Sequence, residues 1–209
     1  KPVISVVTQV RVDKEDPSFK KPSKPIGPFY TKEEADAEAA KDGSTYVEDA
    51  GRGYRKVVPS PMPKEIVEKE AVRALVEADV LTICSGGGGI PVVAEDGQYV
   101  GVEAVNDKDF SARVLAENVD ADRLIILTGV DNIYINYNQP DQKALEQISV
   151  AEAEEYIKEG HFAAGSMLPK IEAALDFVKG DDKRKAIITS IENLENIDKE
   201  AGTVISQKG

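Results

Sequence analysis

The chain has 209 residues, 41% of them hydrophobic and 31% charged, which allows one core of ordinary size or two small domains. Its net charge of -12 argues against nucleic acid as a partner, because a face that binds phosphates needs clustered lysine and arginine. A single cysteine, Cys84, excludes an internal disulfide and is typical of a reducing compartment, so we expect a cytoplasmic protein. No apolar run approaches the roughly 20 residues that a membrane-spanning helix needs.

The N-terminal residues have the composition of a core strand. Residues 3–12 are rich in β-branched side chains and predict a strand, so we assign residues 1–12 to the core. The chain opens with Lys1 and shows no signal-peptide pattern there. We therefore expect it to be the downstream part of a longer protein.

Residues 13–62 differ in composition and predict a small protruding subdomain, or lid. They contain most of the prolines of the chain, with short turn signals at residues 24–28. Thr31 followed by Glu34 forms a capping-box pattern and predicts a helix over residues 31–41. Short strands are predicted at residues 46–49 and 55–58, joined through residues 50–54. A disordered insert is the alternative.

A glycine-rich loop follows a buried strand in the next segment. Apolar positions at helical spacing predict a helix over residues 63–78, and the apolar run 80–84 predicts the buried strand. The loop consists of Ser85, Gly86, Gly87, Gly88 and Gly89. Because glycine adopts positive φ freely, such a loop can gather backbone N–H groups around an oxyanion or a phosphate. A flexible turn between two strands is the alternative.

The remaining residues alternate between strands and helices. The pair Asp96-Gly97 predicts a hairpin, and Ser149 followed by Glu152 predicts a helix through residue 158. The apolar run 123–128 predicts a strand buried on both faces. Further strands are predicted at residues 91–94, 99–102, 133–137, 186–190 and 202–206, and further helices at residues 110–119 and 169–178. This alternation predicts an α/β fold with a mostly parallel sheet, whose main part is residues 63–209.

Two groups of charged residues are candidates for chemistry. Asp107, Lys108 and Asp109 lie at a strand-to-helix junction, where a lysine can neutralise a phosphoryl group and a carboxylate can hold a metal. Lys170 lies in the first turn of a helix, an unfavourable place for a cation unless an anion is also bound there. An exposed charged turn and an exposed lysine are the alternatives. His161, the only histidine, is interpreted as structural, so any metal should be Mg²⁺ on carboxylate and phosphate oxygens.

At these residues the chain resembles the carbamate kinases of the amino-acid kinase family, and the match runs from end to end. It is carried by residues 1–10, 24–30, 51–61, 85–91, 101–105, 107–109, 134–137 and 161–167. The resemblance implies a three-layer α/β/α sandwich with a protruding subdomain, and a homodimer. It also implies reversible phosphoryl transfer between ATP and carbamate with Mg²⁺, giving ADP and carbamoyl phosphate, in the fermentative breakdown of arginine or agmatine. The N-terminal part of the family fold, with its glycine-rich loops, would precede Lys1.

The resemblance also implies roles for individual residues. Lys108 and Lys170 would stabilise the transferring phosphoryl group, and Asp109 would orient these lysines or help to place Mg²⁺. Residues expected to bind the substrate are Lys24, Ser85, Gly86, Gly87 and Gly88. Residues expected to border the nucleotide are Thr128, Tyr134, Tyr137, Ser166 and Met167.

Two other functions stay open from the sequence. One is a truncated fragment that binds a nucleotide but cannot transfer phosphate. The other is a different amino-acid kinase that acts on a carboxylate, although the segments 24–29 and 51–61 favour a carbamate kinase. A purely structural interaction protein has no support in the sequence.

Overall fold

The computed structural model describes residues 1–49 and 51–209, and within them it contains five α-helices and fifteen strands. The helices are α1 (Lys32–Asp42), α2 (Lys69–Glu77), α3 (Lys108–Asn118), α4 (Val150–Lys158) and α5 (Met167–Lys179). The strands of the N-terminal half are β1 (Val3–Ser5), β2 (Gln9–Arg11), β3 (Lys24–Tyr30), β4 (Thr45–Glu48), β5 (Tyr54–Val58), β6 (Glu65–Ile66), β7 (Leu81–Ile83), β8 (Ile90–Glu95) and β9 (Gln98–Gly101). The others are β10 (Arg123–Thr128), β11 (Ile133–Ile135), β12 (Lys143–Leu145), β13 (Gln147–Ser149), β14 (Lys185–Ser190) and β15 (Thr203–Ser206).

The chain divides into two compact units. The first consists of Lys1–Glu68 and Asp79–Ser111, and the second of Lys69–Ala78 and Ala112–Gly209. The α/β class is confirmed, because helices alternate with strands and the pairs β1–β7, β2–β8, β10–β14 and β13–β15 are all parallel. Antiparallel pairing is found at β14–β15, at β2–β6 and in the hairpins.

The first unit contains three sheets, ordered β6-β2-β8-β9, β1-β7 and β3-β5-β4. The predicted hairpin is confirmed between β8 and β9, where Asp96 and Gly97 both have positive φ, as a two-residue turn of type I′ requires. The prediction of a single strand over residues 3–12 is wrong, because the chain forms β1 and β2 in different sheets. Between them the Thr8 hydroxyl donates to the carbonyl of Val6 and accepts from the N–H of Ser85.

The predicted lid contains the elements expected of it and one more strand. The capping box of α1 is complete, with Thr31 and Glu34 bonded to each other's backbone. The segment read as turn signals is instead the edge strand β3, where prolines are tolerated because no ladder partner is needed on one side. Gly27, at φ +72°, lies where its register shifts. Of the predicted connection 50–54, Ala50 lies outside the described residues.

The helix predicted over residues 63–78 begins later than expected, at Lys69. Glu65 and Ile66 form β6 instead, with Ile66 paired to Val10 and both fully buried. Ile66 stands at helical spacing from the residues of α2, so periodicity alone places it in the helix. Its burial against a strand overrides that pattern.

The second unit is built on the sheet β10-β14-β15-β13, with α4 and α5 packed on its core. The capping box of α4, made by Ser149 and Glu152, is confirmed. The prediction that residues 123–128 are buried on both faces is wrong: Leu124 is buried, whereas Ile125 and Leu127 are 39% and 37% exposed. The apolar run therefore has one covered face within this chain.

Several boundaries differ from the prediction for local reasons. The strand predicted over 133–137 ends at Ile135, because Asn136 adopts positive φ. Helix α3 begins at Lys108 rather than residue 110, since the Asp107 side chain accepts the N–H of Asp109. Helix α5 begins at Met167 rather than residue 169. No helix of the described residues is long and apolar enough to cross a membrane.

The pair β1–β7 carries unusually exposed apolar side chains. Val3, Leu81 and Ile83 are 61%, 54% and 57% exposed, so the strand predicted to be buried over residues 80–84 is not covered in this chain. Burial of such side chains is the main favourable term in folding. This pair therefore contributes less to stability than its composition suggests.

We predict that Asp42 makes the stability of the lid depend on acid pH. Its pKa is lowered from 3.8 to about 2, first by hydrogen bonds from the N–H and hydroxyl of Ser44 and then by Lys56. A depressed carboxyl pKa contributes stability above its unfolded value, and this contribution is lost as the pH falls from about 4 towards 2. Urea unfolding of the protein and of Asp42→Asn should differ at pH 6 and converge near pH 2. A constant difference would contradict the assignment.

Candidate functional site

The glycine-rich loop has the backbone conformation that its composition predicts. Ser85, Gly86, Gly88 and Gly89 all have positive φ, at +60°, +44°, +139° and +77°. Two of its N–H groups are used inside the turn, from Gly86 to the carbonyl of Cys84 and from Gly88 to that of Ser85. The N–H groups of Gly87 and Gly89 have no partner among the described residues, which leaves them available to an anion.

Two glycines of the loop are required by close packing. A Cβ on Gly88 would lie 2.3 Å from the main-chain oxygen of Asn106, and one on Gly89 would lie 2.4 Å from Cγ2 of Val10. The buried hydroxyl of Ser111, in the first turn of α3, donates to the carbonyl of Gly88 over 2.7 Å. The loop is therefore a fixed structure, held against the start of α3, rather than a flexible turn.

Two buried polar side chains beside the loop lack hydrogen-bond partners among the described residues. They are the amide of Asn106, which is 2% exposed, and the hydroxyl of Ser85. A buried polar group without a partner costs free energy, so such groups usually bind water or a ligand. Ser85 was a predicted site residue; Asn106 was not, and its neighbour Asp107 gave no reason to single it out.

The acidic turn before α3 joins the lid to the loop region. Lys24 Nζ lies 2.5 Å from Oδ2 of Asp107, and the N–H of Asp109 donates to Oδ1 over 2.9 Å. Burial alone would raise the pKa of Asp107, but these hydrogen bonds and the charge of Lys108 together hold it below its ordinary value. Asp107 is therefore ionised at neutral pH.

Lys108 and Asp109 occupy the first turn of α3. Asp109 is buried, and its Oδ2 lies 3.5 Å from Nζ of the mostly exposed Lys108. A carboxylate here is stabilised by the positive end of the helix dipole. Mg²⁺ is commonly held by one or two carboxylates together with substrate phosphates, so the side chain of Asp109 fits the predicted metal role.

The second unit contains a cavity of about 520 Å³ at the C-terminal ends of β10 and β14. Thr128 and Ser190 are paired at the ends of these parallel strands, so the residues that follow them meet at one edge of the sheet. The described residues that line the cavity are Gly129, Val130, Asp131, Tyr134, Tyr137, Asn138, Gln142, Ser190 and Glu192.

Two predicted nucleotide residues line this cavity. The rings of Tyr134 and Tyr137 lie 5.9 Å apart and are tilted by 45°, which presents aromatic surface to the cavity. Asp131 accepts a hydrogen bond of 2.6 Å from the Ser190 hydroxyl and anchors the loop after β10. Asp131, Ser190 and Glu192 were missed from the sequence, although their positions just after two predicted strands were the available signal.

The other predicted residues of the second unit are not among the described residues that line this cavity. Thr128 ends β10 beside the cavity. Ser166 and Met167 begin α5 and are not among the described lining residues; Met167 packs against the core. Lys170 lies in the first turns of α5. His161 stacks edge-on against Tyr156, in line with a structural role.

We predict that Gly88→Ala destabilises the first unit much more than Gly87→Ala. Alanine at Gly88 would combine a φ of +139° with a contact of 2.3 Å to backbone, whereas a Cβ on Gly87 meets nothing within 4 Å. The expected loss at Gly88 is about 2–4 kcal/mol of the free energy of unfolding, against about 0.5 kcal/mol or less at Gly87. Urea titrations followed by circular dichroism measure both. Equal losses would mean that the loop is not held as described.

Comparison with known proteins agrees with this architecture. Residues 31–190 match the model of the amino acid kinase family. The chain is 55% identical to the carbamate kinase of Lentilactobacillus hilgardii over 100% of its own length, and 56% identical to carbamate kinase 1 of Enterococcus faecium over 99%. It spans 66% of the length of each of these relatives.

Solved structures give the same result. Carbamate kinase from Giardia lamblia bound to citric acid has a TM-score of 0.89 and 43% identity, covering 98% of this chain and 64% of its own. The same enzyme bound to AMP-PNP has a TM-score of 0.86 and 45% identity, covering 98% and 65%. The predicted amino-acid kinase fold is thus confirmed. Because the family model and these relatives match most or all of its length, the chain belongs to the amino acid kinase family.

Proposed function

We propose that this chain supplies the greater part of a carbamate kinase, which transfers a phosphoryl group reversibly between ATP and carbamate and forms ADP and carbamoyl phosphate. The observation that carries this proposal is identity above 50% to carbamate kinases over essentially the whole chain. Because the chain spans 66% of these relatives, the activity is a proposal for the protein of which this polypeptide is a part.

The reaction needs positive charge and fixed N–H donors more than it needs a nucleophile from the protein. Lys108 and Lys170 are proposed to stabilise the charge on the transferring phosphoryl group. The loop residues Ser85, Gly86, Gly87 and Gly88, with Lys24, are proposed to bind the substrate. The two loop N–H groups without partners support this role.

Asp109 is proposed to orient the lysines and to hold Mg²⁺. Its burial in the first turn of α3 next to Lys108 supports both roles. When bound, Mg²⁺ supplies charge neutralisation for the nucleotide phosphates. Asp109 itself contributes a fixed anionic oxygen at a helix N-terminus.

The nucleotide is proposed to bind in the cavity of the second unit. Tyr134 and Tyr137 supply aromatic surface for the adenine ring. Thr128, Ser166 and Met167 are kept in the proposed set on the family resemblance alone, since they are not among the described residues that line the cavity. The relative from Giardia lamblia was solved with AMP-PNP, an ATP analogue, which supports a nucleotide site in this fold.

The wider setting is also proposed from the family. Residues 13–62 are proposed as a lid over the substrate side, and 63–209 as the nucleotide-binding core. The protein is proposed to be a cytoplasmic homodimer that works in fermentative breakdown of arginine or agmatine, without nucleic acid or membrane partners.

A second candidate is a nucleotide-binding chain that does not transfer phosphate. It is favoured by one observation: the cavity with its tyrosines is formed within the second unit alone, while the chain spans only 66% of its relatives.

One experiment separates these two candidates. ADP binding with Mg²⁺ is measured by calorimetry, and ATP formation from ADP and carbamoyl phosphate is measured by a coupled assay. For a carbamate kinase we expect both ADP binding and ATP formation. Binding without ATP formation would favour the second candidate, and absence of both would contradict each of them. Acetylglutamate and other carboxylates replace carbamate as alternative phosphoryl acceptors in the reverse assay.

We predict that in the full-length protein Lys108→Ala and Lys170→Ala each lower kcat for ATP formation, with a barrier raised by about 2–4 kcal/mol, as for loss of one oxyanion donor. The reason is loss of positive charge around the phosphoryl group. Lys158→Ala is the control, because Lys158 lies on the surface of α4 with its side chain 73% exposed. A normal rate in either site variant would remove that lysine from the mechanism.

We predict that Tyr134→Ala weakens ADP binding roughly tenfold, within the range measured when a base loses an aromatic stacking partner. Calorimetry with Mg²⁺ and ADP measures the change. Tyr99→Ala in β9 is the control, since Tyr99 is an exposed tyrosine of the other unit. Unchanged affinity in Tyr134→Ala would place the adenine ring elsewhere.

A further inference from the structure

One ion pair connects the lid to the start of α3. Lys24, in the edge strand β3, lies 83 residues before Asp107, and their side chains meet over 2.5 Å within the first unit. The two partners differ in exposure: the Lys24 side chain is 33% exposed and that of Asp107 is 9% exposed. The pair thus joins an accessible cation to a buried carboxylate.

Both oxygens of the Asp107 carboxylate are engaged. Oδ1 accepts the N–H of Asp109, and Oδ2 accepts from Lys24. The main-chain carbonyl of Asp107 accepts the N–H of Ser111, whose hydroxyl donates to the carbonyl of Gly88. Asp107 is therefore fixed to the helix and, through Ser111, to the glycine loop.

Lys24 is the more exposed and more flexible member of the pair, so its ammonium can contact a ligand. Its long side chain would otherwise sample many rotamers, and ordering it costs free energy that a fixed partner can offset. An ammonium has three donors, so one hydrogen bond to Asp107 leaves two for a ligand. An anion can then bind Lys24 without breaking the ion pair.

We propose that Asp107 is a positioning residue that holds the Lys24 ammonium beside the glycine loop as part of the binding site for the substrate's phosphoryl group. This inference rests on the proposed function, which gives Lys24 to the substrate and assigns nothing to Asp107. It differs from a simple tether of the lid, in which the pair would hold residues 13–62 in place and take no part in binding an anion.

The direction in which one substitution changes anion affinity distinguishes a positioning role from simple charge repulsion. Asp107→Asn removes a negative charge but keeps an oxygen that can accept the N–H of Asp109. By Coulomb's law alone, removing that charge would strengthen the binding of an anion nearby. If Asp107 instead positions Lys24, its replacement weakens binding, because the ammonium is no longer held where the anion binds.

The test is calorimetric titration of the chain with inorganic phosphate, supported by hydrogen exchange over residues 24–30. We expect Lys24→Met and Asp107→Asn each to weaken phosphate binding roughly tenfold, as for loss of a charge-assisted hydrogen bond. The double variant should bind no more weakly than Lys24→Met, because Asp107 acts through Lys24. Lys14→Met, which breaks the exposed ion pair of 2.6 Å with Glu95 in the same unit, is the matched control and should bind normally.

Each other outcome overturns the inference. Tighter or unchanged binding in Asp107→Asn leaves only charge repulsion or a tether, and additive losses in the double variant mean that Asp107 acts independently of Lys24. Faster exchange over residues 24–30 with unchanged phosphate affinity identifies a tether. Absence of phosphate binding by the unmodified chain also overturns it. ADP binding in the other unit, measured separately, shows whether the proposed function fails with it.

Discussion

The contact between the glycine loop and the turn before α3 is the constraint on which the rest of the first unit depends. The backbone of Gly88 lies so close to the carbonyl of Asn106 that no side chain fits between them. The Ser111 hydroxyl then locks the loop to the helix. These two contacts bring the glycine loop, a helix N-terminus and the side chains of Asp107 and Asp109 into one region. The packing of these backbone segments therefore fixes where the charged side chains of Asp107 and Asp109 lie.

Local patterns in the sequence were sufficient for much of the fold. Thr31 with Glu34, and Ser149 with Glu152, predicted helix starts correctly, because a capping box depends only on neighbours within one turn. The Asp96-Gly97 turn was equally local. Errors arose where distant contacts decide: Thr8 interrupts a strand through a hydrogen bond to residue 85, and Ile66 pairs with Val10 across the sheet. Periodicity carries no information about such partners.

The candidate site was predictable in composition and less so in geometry. The resemblance predicted the lysines and tyrosines as site residues, and the structure brings Tyr134 and Tyr137 to one cavity. The ion pair of Lys24 and Asp107 joins residues 83 positions apart, so no spacing rule could find it. Asn106 was also beyond reach, since its significance lies in being buried without a partner rather than in its type.

The exposed valine, leucine and isoleucine of β1 and β7 also bear on how the polypeptide behaves in bulk solution. A two-stranded ribbon with wetted apolar side chains is a poor building block by itself, and bare strand borders readily recruit other strands. We therefore expect self-association to depend on protein concentration: the polypeptide stays dispersed in dilute samples and associates through this ribbon in concentrated ones. The concentration at which the polypeptide remains dispersed thus depends on Val3, Leu81 and Ile83, which lie outside the candidate site.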